Sequence, residues 1–119
     1  MENDKWKWCF DNYKIVKIIK TSERISFQRK GNRYNRGVTI SKEAFFKIDD
    51  ITITPGCQIE LEKNVVLMND LPKRICLIKY CMTCDGKKCE GGLFNFTLKE
   101  WFHFWNTLRE QIVKKLHDL

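Results

Sequence analysis

Apolar and polar positions alternate along most of this chain, and only twice do they give way to helical spacing. Lys7–Phe10 (KWCF) reads as a brief strand, and the segment Tyr13–Lys20 (YKIVKIIK), rich in β-branched residues, predicts a second. Arg24–Lys30 (RISFQRK) alternates, with Ile25 and Phe27 on one side and Arg24, Ser26, Gln28 and Lys30 on the other. GNRYNR, residues 31–36, reads as a loop, and Gly37–Ile40 as a short strand. Ser41 is a good N-cap for a helix of about two turns over Lys42–Ile48, with Ala44, Phe45 and Ile48 apolar. Thr54-Pro55-Gly56 then interrupts the chain near its midpoint.

The same order runs again. Strands are expected at Cys57–Leu61, Val65–Met68 and Arg74–Tyr80, with a turn at Asn69–Pro72. A polar loop over 81–92 leads to a short strand at Leu93–Phe96. Thr97 and Glu100 have capping-box spacing, and a long amphipathic helix follows. Its residues Leu98, Trp101, Trp105, Leu108 and Ile112 recur at steps of three and four, so they share a face that Phe102, Phe104, Val113 and Leu116 widen. A helix this aromatic needs a large surface to cover, and the strands must supply it.

The two halves also resemble each other residue by residue. Glu23–Phe27 aligns with Lys73–Leu77 at an offset of fifty, which also places Ile15-Val16 on Val65-Val66. Ser41–Phe45 matches Thr97–Trp101 at an offset of 56. The expected fold is therefore α+β: two tandem ββββα units, residues 6–50 and 57–118, with curved antiparallel sheets packed on helices in one compact domain.

Charge sharpens the functional question. Of 119 residues, 43% are hydrophobic, and the net charge is +7. Between Lys5 and Lys42, eleven Lys/Arg face two acids, a local +9, while the rest of the chain is slightly acidic. Such a segment favours a polyanionic partner, the alternative being a merely solubilising basic surface. No run of about 18 apolar residues marks a membrane span. The charged start MENDKWKW has no secretory signature, so the six cysteines are expected as reduced thiols inside the cell, in the nucleus or a viral replication or transcription compartment. Richness in Lys, Ile and Asn fits an AT-rich genome such as that of a large DNA virus.

Three stretches of the second half carry a family resemblance: Cys57-Gln58-Ile59, Arg74–Lys79 (RICLIK) and Gly92–Trp101 (GLFNFTLKEW), with Leu108–Ile112 (LREQI) closing the helix. Together they resemble the positive-cofactor-four family of transcriptional coactivators, which bind single-stranded DNA. The first half follows the same order through Arg36–Ser41. The resemblance implies a dimer of ββββα units whose curved sheets grip unpaired DNA and whose helices form the interface. Here both units would lie in one chain, as an internal pseudo-dimer. The sequence departs from the family in its short first helix, in its cysteines at 81–92, and in Met68, Asn69 and Asp70, which stand where the family tends to place a basic residue and a stacking aromatic.

Single strands are held by cations along the phosphates and by rings under the bases. The first unit offers Lys14, Lys17, Lys20, Arg24, Arg29, Lys30, Arg33 and Arg36, with Tyr34 as a stacker; the second offers Lys63, Lys73, Arg74, Lys79, Lys87 and Lys88, with Tyr80. Trp101, Trp105, Leu108 and Ile112 are assigned to packing or a dimer face, and Trp6 and Trp8 to core or edge. Cys81, Cys84 and Cys89 begin a zinc-ligand spacing that lacks a fourth member unless Cys76 or Cys57 supplies it, so no metal or other cofactor is expected. No phosphate-binding glycine loop, HExxH or nucleophile elbow is present, and a non-enzymatic role is expected. The reading is a largely sequence-independent binder of single-stranded or melted DNA, a cofactor in transcription, replication or repair that works beside the transcription machinery. The alternative is a protein-interaction or homodimerisation module built on the aromatic helix.

Overall fold

The computed structural model describes residues 6–9, 14–29, 37–48, 54–82 and 85–119. They form two four-stranded antiparallel sheets, each followed by a helix. Sheet A runs in the order β1 (Lys7–Cys9), β2 (Lys14–Ile19), β3 (Arg24–Arg29) and β4 (Val38–Ser41). Sheet B runs β5 (Gln58–Glu62), β6 (Val65–Asp70), β7 (Arg74–Met82) and β8 (Lys88–Phe96). Helix α1 (Lys42–Lys47) follows sheet A. The C-terminal helix comprises α2 (Leu98–His103), a π-helical turn (Phe104–Leu108) and α3 (Arg109–His117).

Both expected caps form. The Ser41 hydroxyl accepts from the Ala44 N–H at 3.1 Å. Thr97 accepts from the Glu100 N–H at 3.1 Å while Glu100 Oε1 accepts from the Thr97 N–H at 2.9 Å, a complete capping box. Strand pairing defines how the two units correspond. Phe27 pairs with Val38, and Leu77 with Phe94, so the offsets of 50 at β3/β7 and 56 at β4/β8 hold. The β2/β6 offset needs correcting. Val16 pairs with Phe27 and Leu67 with Leu77, so Val16 corresponds to Leu67, an offset of 51. The β6–β7 turn is one residue shorter than the β2–β3 turn, and the slip follows from that.

Three further expectations change. The strands β7 and β8 run through most of the supposed 81–92 loop, pairing as far as Met82 with Lys88. This part of the ribbon has exposed residues and no core to face, so no apolar alternation betrays it. At the other end, Asn69 and Asp70 belong to β6, pairing with Ile75 and Arg74. The Asn69 side chain accepts from the Leu71 N–H at 3.0 Å, so its turn chemistry serves the strand end. Finally, the π turn rotates the buried stripe of the long helix. Trp101, Phe104, Leu108, Ile112 and Leu116 are buried, Trp105 is half-buried, and Leu98 and Phe102 are exposed.

One core serves both units. The Phe27 ring lies 5.5 Å from Phe94, 6.1 Å from Phe96 and 6.3 Å from Phe104, and Phe45 meets Phe104 edge-on at 6.1 Å. Polar contacts also cross between the units. Trp8 Nε1 donates to Gln111 Oε1 at 3.2 Å, the Ser41 N–H donates to Glu62 Oε1 at 2.7 Å, and Phe46 stacks on His117 at 5.4 Å. Trp8 is therefore an edge residue packed against the core, which resolves the choice left open for it. Among the described residues no helix is long and apolar enough to cross a membrane.

Candidate nucleic-acid interface

Period-two alternation gives each sheet a core face and an outer face. In sheet A the core face carries Trp8, Val16, Ile18, Ile25, Phe27, Val38 and Ile40. The opposite face therefore presents Lys7, Lys17, Arg24, Gln28 and Thr39, half-buried, with Ile19 beside them, while Ser26 and Ile15 on that face are themselves buried. Register lines these residues up: Lys7 pairs with Lys17, Lys17 with Ser26, and Ser26 with Thr39, a single rung across all four strands. Like charges directly opposite one another repel, by roughly the 0.2–1 kcal/mol typical of cross-strand pairs, and a bound anion would relieve this.

Beside that rung is a shallow polar pocket of about 180 Å³ lined by Ser26, Gln28, Gly37 and Thr39. Ser26 Oγ accepts from Gln28 Nε2 at 2.7 Å and lies 3.2 Å from Thr39 Oγ1. Arg24 Nη2 donates to the Thr39 carbonyl at 3.0 Å and sits 3.6 Å from Glu62 Oε2, so this guanidinium is partly engaged at the sheet end. Gly37 allows the close approach of β4 to β3: a Cβ there would lie 2.2 Å from the Phe27 carbonyl oxygen. No carboxylate lies among the outer-facing residues of these four strands, as far as they are described.

The cations named from the sequence separate into groups. Lys14 is not on this face. It is buried, ion-paired with Glu100 at 2.8 Å, and donates to the Asn95 carbonyl at 2.9 Å. Arg29, exposed at the end of β3, joins Lys14, Leu93 and Asn95 around a small pocket between the sheets. Lys20 lies 4.7 Å above the Trp6 ring, which Lys115 also approaches at 5.2 Å. Lys30, Arg33, Tyr34 and Arg36 lie outside the described residues, as does Cys84. In the second unit, Lys63 and Lys73 occupy turns at opposite ends of β6. Arg74 opens β7, and Lys79, Lys87 and Lys88 follow its hairpin with β8, where Lys88 sits 5.9 Å from the Tyr80 ring centre. These residues line no single face.

The outer face of sheet B has a different character. It holds a pocket of about 440 Å³ whose lining includes Gln58, Met68, Cys76, Ile78, Leu93 and Asn95, with Asp70, Arg74 and Glu90 around it. The Asn95 side-chain oxygen is buried there without a hydrogen-bond partner among the described residues. Burial pushes the Cys76 thiol above its ordinary pKa, partly offset by the charge of Arg74. The acidic residues on and around this face make it far less attractive to a polyanion than sheet A.

Lys7 was missed as a candidate, and so were Ser26, Gln28 and Thr39. The alternation in RISFQRK already put Ser26 and Gln28 beside Arg24; only strand pairing could add Lys7 and Thr39. Among the described residues no cluster of three or more His, Cys, Asp or Glu could hold a metal ion. Trp101, Leu108 and Ile112 are buried within the chain, and Trp105 stacks on Trp101 at 5.7 Å beneath Arg109. No family model matches this chain, and neither a curated protein nor a solved structure is similar enough to count as a match.

Proposed function

We propose that this protein binds single-stranded or melted DNA without strong sequence preference, through the outer face of sheet A, as a cofactor in transcription, replication or repair. The observation that carries the reading is the Lys7–Lys17–Ser26–Thr39 rung, with Gln28 and Arg24 beside it and no outward carboxylate on those strands. The two lysines on neighbouring strands supply the cations for phosphates, and the half-buried Thr39 hydroxyl and Gln28 amide, held by the buried Ser26 hydroxyl, supply hydrogen bonds to phosphate or base edges. Two further points support the reading. The tandem ββββα order is the one implied by the resemblance to the positive-cofactor-four coactivators. The apolar stripe of the long helix is also already covered by the chain's own sheets, which leaves less of it for a homodimer.

The test is fluorescence anisotropy with labelled oligo-dT over a salt series. Submicromolar, salt-sensitive binding is expected. Lys7→Gln with Lys17→Gln should reduce the slope of log affinity against log salt by about 1.4, since each phosphate contact on a single strand contributes about 0.7. Absence of binding at low salt, or an unchanged slope in the double variant, refutes the assignment. Leu98 and Phe102, exposed one helical turn apart, favour the interaction-module reading if oligonucleotide binding is absent and the chain runs as a dimer on a sizing column.

A further inference from the structure

The hairpin of β7 and β8 carries a pair of thiols in register. Cys81 is the direct cross-strand partner of Cys89, and both are exposed. Of the other described cysteines, Cys9 pairs with Ile15, Cys76 with Met68 and Asn95, and Cys57 lies outside the strands. Residues directly opposite in an antiparallel ladder have Cα atoms about 4.5–5.5 Å apart. That falls inside the roughly 4.4–6.8 Å range that a disulfide spans. The Cys81 side chain also has room beside it. A Cβ on Gly91 would fall 2.2 Å from Cys81 Sγ, so this thiol overhangs the glycine two residues beyond Cys89 on the same strand. A change of one staggered χ1 well redirects a cysteine sulfur without moving the backbone.

We propose that Cys81 and Cys89 form a reversible dithiol–disulfide site that staples the β7–β8 arm, with a small-molecule disulfide of the glutathione type as oxidant. The Cys81 thiolate attacks the oxidant's S–S bond, forming a mixed disulfide and releasing one thiolate. The Cys89 thiolate then attacks Cys81 Sγ, forming the Sγ–Sγ bond and expelling the second small thiolate. The two protons lost by the cysteines end on the two released thiols, so the pair is oxidised by two electrons and the oxidant reduced by two. The new bond links the two strands one rung from the Met82–Lys88 pair. An exposed disulfide of this kind is readily reduced, which suits a switch better than a permanent brace. The staple does not depend on nucleic-acid binding.

The experiment equilibrates the Cys84→Ser chain with oxidised glutathione, blocks free thiols and digests with trypsin. Cleavage after Lys79, Lys87, Lys88 and Lys99 puts Cys81 and Cys89 on separate peptides. A linked 80–87/89–99 peptide that disappears on reduction is expected, at least tenfold above any linkage between Cys9 and Cys57. In Cys81→Ser, Cys89 should instead retain glutathione. If Cys84→Ser fails to fold, fragment sequencing of the linked peptide from the unsubstituted chain distinguishes Cys81 from Cys84. Recovery of Cys81 and Cys89 only as separate thiols or glutathione adducts, or a linkage running through Cys84, overturns the proposal.

Discussion

Replacing Lys14 separates folding from binding more cleanly than any other single change. Its ammonium lies 2.8 Å from Glu100, the two side chains being only 10% and 11% exposed, and it also donates to the Asn95 carbonyl. Lys14→Met keeps the apolar stem and leaves Glu100 nearly buried without its counter-charge. Removing one partner of a buried pair typically costs about 3–5 kcal/mol. Glu100 retains the Thr97 N–H at 2.9 Å, so the lower end, about 3 kcal/mol, is expected. For a chain of this size that corresponds to a fall in Tm of about 10–15 °C. Adding Glu100→Gln keeps an oxygen for the cap and removes the stranded charge, and should bring stability back to within about 1 kcal/mol of the parent. Urea titrations of the parent, both single variants and the double variant close the cycle. Oligo-dT affinity, measured on folded protein, should not change in Lys14→Met. A loss below about 1 kcal/mol together with weaker oligonucleotide binding would refute the reasoning, because Lys14 would then behave as a phosphate contact on an exposed strand.

Further outcomes follow from the same geometry. Phe27→Ala should cost about 3–5 kcal/mol and still unfold in one transition seen by both Trp fluorescence and far-UV dichroism, because the rings around Phe27 come from both units. Gly37→Ala should cost about 1–3 kcal/mol by urea titration, since the Phe27 carbonyl it would strike is backbone and cannot swing aside. Thr97→Ala should cost about 1 kcal/mol through the lost cap, read in thermal melts. Cys76 should alkylate more slowly than exposed Cys57. Because burial raises its pKa, the folded state favours the neutral thiol; that contribution is intact below the ordinary 9.0 and declines as pH rises past it, and Cys76→Ala should flatten the decline in melts above pH 9.0.

The sequence revealed most where one face of a segment meets the core. YKIVKII, RISFQR and RICLIKY announce their strands because burial forces apolar residues onto alternate positions, and the two caps announce their helices because orphan N–H groups demand side-chain acceptors. What escaped had no such constraint. The outer part of the β7–β8 ribbon is exposed on both faces, so nothing in its composition separates it from a loop. The π turn begins at Phe104, whose ring meets Phe27 of sheet A and Phe96 of sheet B, contacts that helical periodicity does not encode. Lys14 looked like one more strand cation because its partner lies 86 residues away. The candidate interface was half visible: alternation placed Arg24, Ser26 and Gln28 together, but only cross-strand register brought Lys7 and Thr39 beside them.

The two outer faces also show what a single polypeptide gains by holding both units. In a symmetric homodimer each substitution appears twice, so a lysine gained on one sheet is gained on its twin, and neither can specialise alone. Here Lys7 and Lys17 belong to β1 and β2, whereas the matching rung of β5 and β6 carries Gln58 and Met68. Substitutions can therefore charge one outer face and hollow the other into a pocket, one at a time, without disturbing the rings that join the two units.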